Sequence, residues 1–103
     1  MDKEEIDQIL KLGEYMNVQV RIDSEGNPSY RPDLYFEQLM SIIEKITSEN
    51  ASNCYIGAPG YLSVDSRWLI CLCDDSTKGK DGFGTSMKEA MYNAVLRFLK
   101  LKE

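Results

Sequence analysis

Trp68-Leu69-Ile70-Cys71-Leu72-Cys73 is the stretch on which the fold turns. Six consecutive apolar residues leave neither side of a strand suited to water, so the segment calls for cover on both faces and a central place in a sheet. Beyond it, Asp74 to Phe83 carries Lys78, Gly79, Lys80, Asp81 and Gly82, which reads as a charged, glycine-bearing hairpin or loop returning the chain. The run Gly82-Phe83-Gly84-Thr85-Ser86-Met87-Lys88-Glu89-Ala90-Met91 then opens a strongly amphipathic helix expected to reach Lys100. Its apolar residues recur as Met87, Ala90, Met91, Ala94, Val95, Phe98 and Leu99, all on one side of a helix of about 3.6 residues per turn. That side needs a packing partner.

Toward the N-terminus, Cys54-Tyr55-Ile56 and, more weakly, Tyr61-Leu62-Ser63-Val64 are strand candidates split by Gly57-Ala58-Pro59-Gly60. Ser48 to Asn53 loses periodicity and is rich in residues that bond locally to the backbone, so it reads as a loop. Before it, Pro32 and Asp33 read as a helix start, and Phe36, Leu39, Met40, Ile43 and Ile46 carry that helix to Thr47 or Glu49. Asp23 to Ser29 is a polar turn cluster. Val18, Val20 and Ile22 alternate with Asn17, Gln19 and Arg21, the period of a strand with one buried face. Asp2 to Tyr15 forms a first helix, with Ile6, Ile9, Leu10, Gly13 and Met16 at helical spacing and Asp2, Glu4 and Glu5 at its positive end. Gly13, on the apolar side, either admits a neighbouring backbone or ends the helix. The expected architecture is a single α+β domain over 1–103, order α-β-α-β-β-(β)-α. Its small, mostly antiparallel sheet is covered by helices on both faces, an α/β/α sandwich.

Composition bounds what such a domain does. At 103 residues one core suffices. No apolar run approaches the roughly 18 residues of a membrane span. The charged start Met1-Asp2-Lys3-Glu4-Glu5-Ile6 is unlike a secretory signal, so the chain reads as cytoplasmic. Cys54, Cys71 and Cys73 are odd in number and no Cys-x-x-Cys pair or histidine accompanies them, which reads as buried thiols without a metal or other cofactor. The net charge of -5 repels phosphate backbones on average and makes nucleic acid an unlikely partner. Without histidine the usual base for a serine or cysteine nucleophile is missing, and Asp74-Asp75, the one adjacent carboxylate pair near a strand end, reads as solvated charge. A non-enzymatic role follows.

Two groups of residues are candidates for binding. Ser86-Met87-Lys88-Glu89 satisfies the capping-box pattern, and Gly82, Gly84, Thr85 and Ser86 beside Lys78 and Lys80 could present amides and cations to an anionic metabolite or nucleotide at the helix entrance. No Gly-Lys-Ser/Thr completes a Walker loop. Tyr30, Tyr35, Tyr61 and Tyr92 supply amphipathic rings for an interface.

Two family resemblances bear on these residues. The stretch from Gly82 to Met91 resembles the end of double-stranded RNA-binding domains, in which a helix and three strands precede a glycine-rich loop and a final helix opening Ser-Lys-Lys-x-Ala-Lys. Here Ser86-Met87-Lys88-Glu89-Ala90-Met91 keeps only Lys88 of three phosphate-contacting lysines, and Gly57-Ala58-Pro59-Gly60 lacks the histidine of that family's minor-groove loop. Such losses should remove most of the affinity of a shape-and-phosphate reader. Over more of its length the chain resembles the phage ABA-sandwich domain family. The matching parts are the helix from Asp2 to Met16, Pro28-Ser29-Tyr30-Arg31-Pro32-Asp33 leading into Leu34 to Ile46, Trp68 to Cys73, and Ser86 to Leu99. That resemblance implies a phage or prophage origin and a layered fold, and no catalytic residue. The expected function is an accessory protein that binds a host or phage protein or self-associates.

Overall fold

The computed structural model describes residues 1–49, 53–59, 67–73 and 79–102. Helix α1 (Lys3–Tyr15) starts where the Asp2 carboxylate accepts from the Glu5 amide at 2.8 Å. It ends in a Schellman cap: Asn17 is left-handed at φ 58°, Val18 N donates to Gly13 O, and Asn17 N donates to Glu14 O. The cap turns the chain back across α1, where a Cβ on Gly13 would stand 2.5 Å from Val20 Cγ2. Of the two roles expected for Gly13, close approach is the one its surroundings require.

That turn explains a correction. Val18 to Ile22 does not enter the sheet: Val20 packs on the helix, Val18 and Ile22 are exposed, and Ile22 makes a single isolated bridge to Pro28. Asp23 closes the turn, its Oδ1 accepting from the Glu25 and Asn27 amides, while Gly26 takes φ 83°. Helix α2 (Phe36–Glu49) begins later than Pro32-Asp33 suggests. Residues 32–34 form a turn whose Arg31 carbonyl accepts from both Leu34 and Tyr35 amides, held by a two-pronged Arg31–Asp33 ion pair.

Strands β1 (Asn53–Gly57), β2 (Trp68–Cys73) and β3 (Gly79–Gly84) form one antiparallel sheet in the order β1-β2-β3. The tryptophan-led segment is the central strand, with Ile70 opposite Ile56 and Gly82, and Leu72 opposite Cys54 and Lys80. All of β3 but Gly84 lies within the segment read as a hairpin or loop. The second weak strand candidate, Tyr61 to Val64, falls outside the described residues, as do Asp74-Asp75.

Helix α3 (Met87–Phe98) crosses this sheet on the Ile70 side. A Cβ on Gly82 would lie 2.2 Å from both Ala90 O and Ala94 N, and one on Gly84 would lie 2.7 Å from Ala90 N, so the helix rests on bare strand backbone. Lys100, at φ 61°, ends α3 with the same cap as α1: Leu101 N donates to Leu96 O and Lys100 N to Arg97 O. One core gathers Ile9 and Leu12 of α1, Leu39, Ile42 and Ile46 of α2, Ile70 and Leu72 of β2, and Ala94, Val95 and Leu96 of α3.

The α+β class and the small antiparallel sheet are as expected. The cover is distributed differently. Leu69, Cys71 and Phe83, on the opposite face from Ile70, are only half-buried, Tyr55 beside them is 59% exposed, and none joins the core. A second helical layer over that face is not seen among the described residues. Among those residues, too, no helix is long and apolar enough to cross a membrane.

Candidate functional site

Of the residues expected to hold an anion at the entrance of α3, Gly82, Gly84, Thr85 and Ser86 are engaged in building the fold. Ser86 caps the helix by accepting from the Glu89 amide at 3.1 Å, and Thr85 Oγ1 donates to Glu89 Oε2 at 2.9 Å. A carboxylate therefore occupies the helix entrance. Gly82 and Gly84 are accounted for by contact with α3. Lys80 is on β3 opposite Leu72, and Lys78 lies outside the described residues. Lys88, the lysine retained from the RNA-binding pattern, donates from Nζ to Leu34 O at 2.9 Å, tying α3 to the turn before α2.

The tyrosines separate into different roles. Tyr35 is exposed and available for contact. Tyr30 is 7% exposed, so it does not serve as a surface ring; its hydroxyl is buried without a hydrogen-bond partner among the described residues. Burial raises its pKa above the usual phenol value. Tyr92 is half-buried; its pKa is raised further, by burial first and then by the negative charges of Asp33 and Glu5. Tyr61 lies outside the described residues.

Two surfaces remain with the makings of a site. The first is β1, Asn53-Cys54-Tyr55-Ile56-Gly57, an outer strand among the described residues, with no charge and no proline. Tyr55 and the 46% exposed Ile56 point to opposite faces of it. The other outer strand is treated differently. The Asp81 and Phe83 carbonyls of β3 accept from Arg97 Nη1 at 2.9 Å and Asn93 Nδ2 at 2.8 Å, so α3 binds along that edge. Strands that are left uncharged and accessible are templates for pairing with other chains.

The second is a cleft of about 180 Å³ between β3 and the second half of α3. Arg67, Arg97 and Lys102 line it with Phe83, Asn93 and Asp81. The Arg67 guanidinium lies 4.6 Å from the centre of the Phe83 ring, and Lys102 Nζ is 3.4 Å from Asn93 Oδ1. Sequence reading missed all three cations. They lie 30 and 5 residues apart, and only the return of the chain through β3 and α3 brings them together. One signal was available: a hairpin drawn with Leu69 opposite Phe83 places Arg67, two residues before Leu69, on the same face.

Cys54 and Cys71 are half-buried thiols, and no group of three or more His, Cys, Asp or Glu among the described residues could hold a metal ion. Comparison with family models, with curated proteins and with solved structures found no match to this chain.

Proposed function

We propose that the chain is a non-enzymatic binding module that recruits another polypeptide, a second copy or a partner protein, by pairing at β1. The observation that carries this reading is the uncharged outer strand with Tyr55 and Ile56 exposed on either side of it. Main-chain hydrogen bonds would supply affinity, and the two side chains would supply selectivity on alternate faces. The half-covered face of Leu69, Cys71 and Phe83 extends the contact surface beyond the strand. The resemblance to the phage ABA-sandwich family favours an accessory role in a phage or prophage, with a host or phage protein as the partner.

The order α2-β1-β2-β3-α3, with both helices in one core, is the arrangement that the resemblance to RNA-binding domains implied. Its chemistry is unfavourable to RNA. Lys88 is committed to Leu34 O, and Glu89 stands at the helix entrance where phosphate would approach.

Sedimentation of the wild type and of Ile56→Lys tests the proposal, since a lysine in an outer strand discourages edge pairing. The expected result is a dimer, or a complex with a partner captured from the host and identified by native mass spectrometry, that is lost in the variant while the circular dichroism spectrum is unchanged. A wild type that remains monomeric up to about 0.5 mM and captures no partner would overturn the proposal.

A further inference from the structure

Separate from that surface, the cleft between β3 and α3 runs against the charge of the molecule. The chain as a whole is at -5, yet Arg67, Arg97 and Lys102 meet here, with Asp81 as the one acidic residue among the described residues of the lining. The two guanidinium groups are held from different walls. Arg67 stacks on Phe83 from the β2 side, and Arg97 is fixed by its bond to the Asp81 carbonyl. Lys102 is brought in by the left-handed turn at Lys100 that ends α3. Asn93, bonded to Phe83 O, braces the floor between them.

Cations at the end of a helix also offset its dipole, which accounts in part for Arg97. It does not account for Arg67, which immediately precedes β2 and joins the others only across β3. Planar guanidinium forks suit phosphate oxygens, and groups already fixed by the fold lose little freedom when a ligand arrives. The volume of about 180 Å³ decides the size class. It is smaller than the roughly 300 Å³ at which pockets begin to enclose a whole drug-sized molecule, so a charged headgroup enters and the rest stays outside. Asp81 narrows the chemistry again, because a carboxylate beside an anion site repels a bare anion and accepts from a hydroxyl.

We infer that the cleft binds a small hydroxylated phosphomonoester, a sugar phosphate or mononucleotide. The phosphate lies among Arg67, Arg97 and Lys102, and a ligand hydroxyl donates to Asp81. Binding is a noncovalent association, with nothing transferred.

The test is an amide NMR titration of the full chain with ribose 5-phosphate, with inorganic phosphate and with ribose. Ribose 5-phosphate should shift the Phe83, Asn93 and Arg97 resonances saturably and bind more tightly than inorganic phosphate, with ribose silent. Arg67→Gln and Lys102→Gln, both at exposed positions, should each weaken binding about 10-fold with thermal midpoints unchanged. Asp81→Asn should erase the preference for the ester over inorganic phosphate. The inference is overturned by a response that fails to saturate by about 20 mM, by binding unaltered in the Arg67→Gln, Lys102→Gln double variant, or by equal binding of ribose. A short RNA duplex that binds the same residues more tightly, with a steep salt dependence, would also overturn it in favour of a nucleic-acid reader.

Discussion

Single residues in left-handed backbone show how local chemistry was fitted to the fold. Asn17 and Lys100 both occupy the left-handed position of a Schellman cap, φ 58° and φ 61°. Asparagine tolerates that region well, while lysine carries a steric cost that glycine escapes. Lys100→Gly is therefore expected to raise stability by about 0.5–1 kcal/mol, read as a higher thermal midpoint. These caps were only partly legible in the sequence. The polar Asn17 after α1 is a common helix stop, but nothing about Lys100 marks it as one, because the turn there is imposed by Leu101 packing back on the core. The burial of Tyr30 escapes the sequence for a related reason. A tyrosine is equally at home at an interface or bordering a core, and only the path of the chain decides.

Elements were legible in proportion to how much of their reason is local. β2 was recovered from Trp68 to Cys73 because unbroken hydrophobicity leaves few alternatives, and α3 because its stripe and its Ser86 cap agree. Val18 to Ile22 shows the limit of alternation: a period of two requires one apolar contact side, and α1 meets that requirement at Gly13 without any neighbouring strand. β3 erred in the other direction. Three glycines in Gly79-Lys80-Asp81-Gly82-Phe83-Gly84 lower its intrinsic preference, but pairing with β2 and the approach of α3 make it a strand. The glycines are the condition of that approach, so Gly82→Ala should cost about 3 kcal/mol, the upper range for forcing added volume into packed backbone. Urea unfolding measures it. A loss well under 1 kcal/mol would show that α3 can lift without penalty.

At the scale of the molecule, the single core joins all three helices to one face of the sheet, and α1 is tied in a second way. Lys45 of α2 donates to Tyr15 O at the end of α1 and sits 4.4 Å from the Tyr15 ring centre, a cation at the negative end of a helix that has no basic residue in its own last turn. One core also predicts one pH response. The raised phenols of Tyr30 and Tyr92 favour the fold fully while both states keep their protons, below the ordinary value of 10.0. As pH climbs past 10.0 the unfolded chain releases protons that the folded chain retains, so stability declines with rising pH. Urea midpoints from about pH 8 to about pH 11 should fall along that limb, and Tyr92→Phe should flatten the fall. The sequence indicated the class of the fold; it could not indicate on which side the helices gather, since a strand apolar on both sides is equally compatible with a face left half-buried.

Where α3 lies on Gly82 and Gly84, main chain touches main chain with few side chains to be immobilised between them. Such a seam leaves little room for solvent to enter by partial separation, because no rotamer can swing aside to admit it. The amides of β3 and α3 should then trade hydrogen for deuterium last of all, and only when the whole molecule opens.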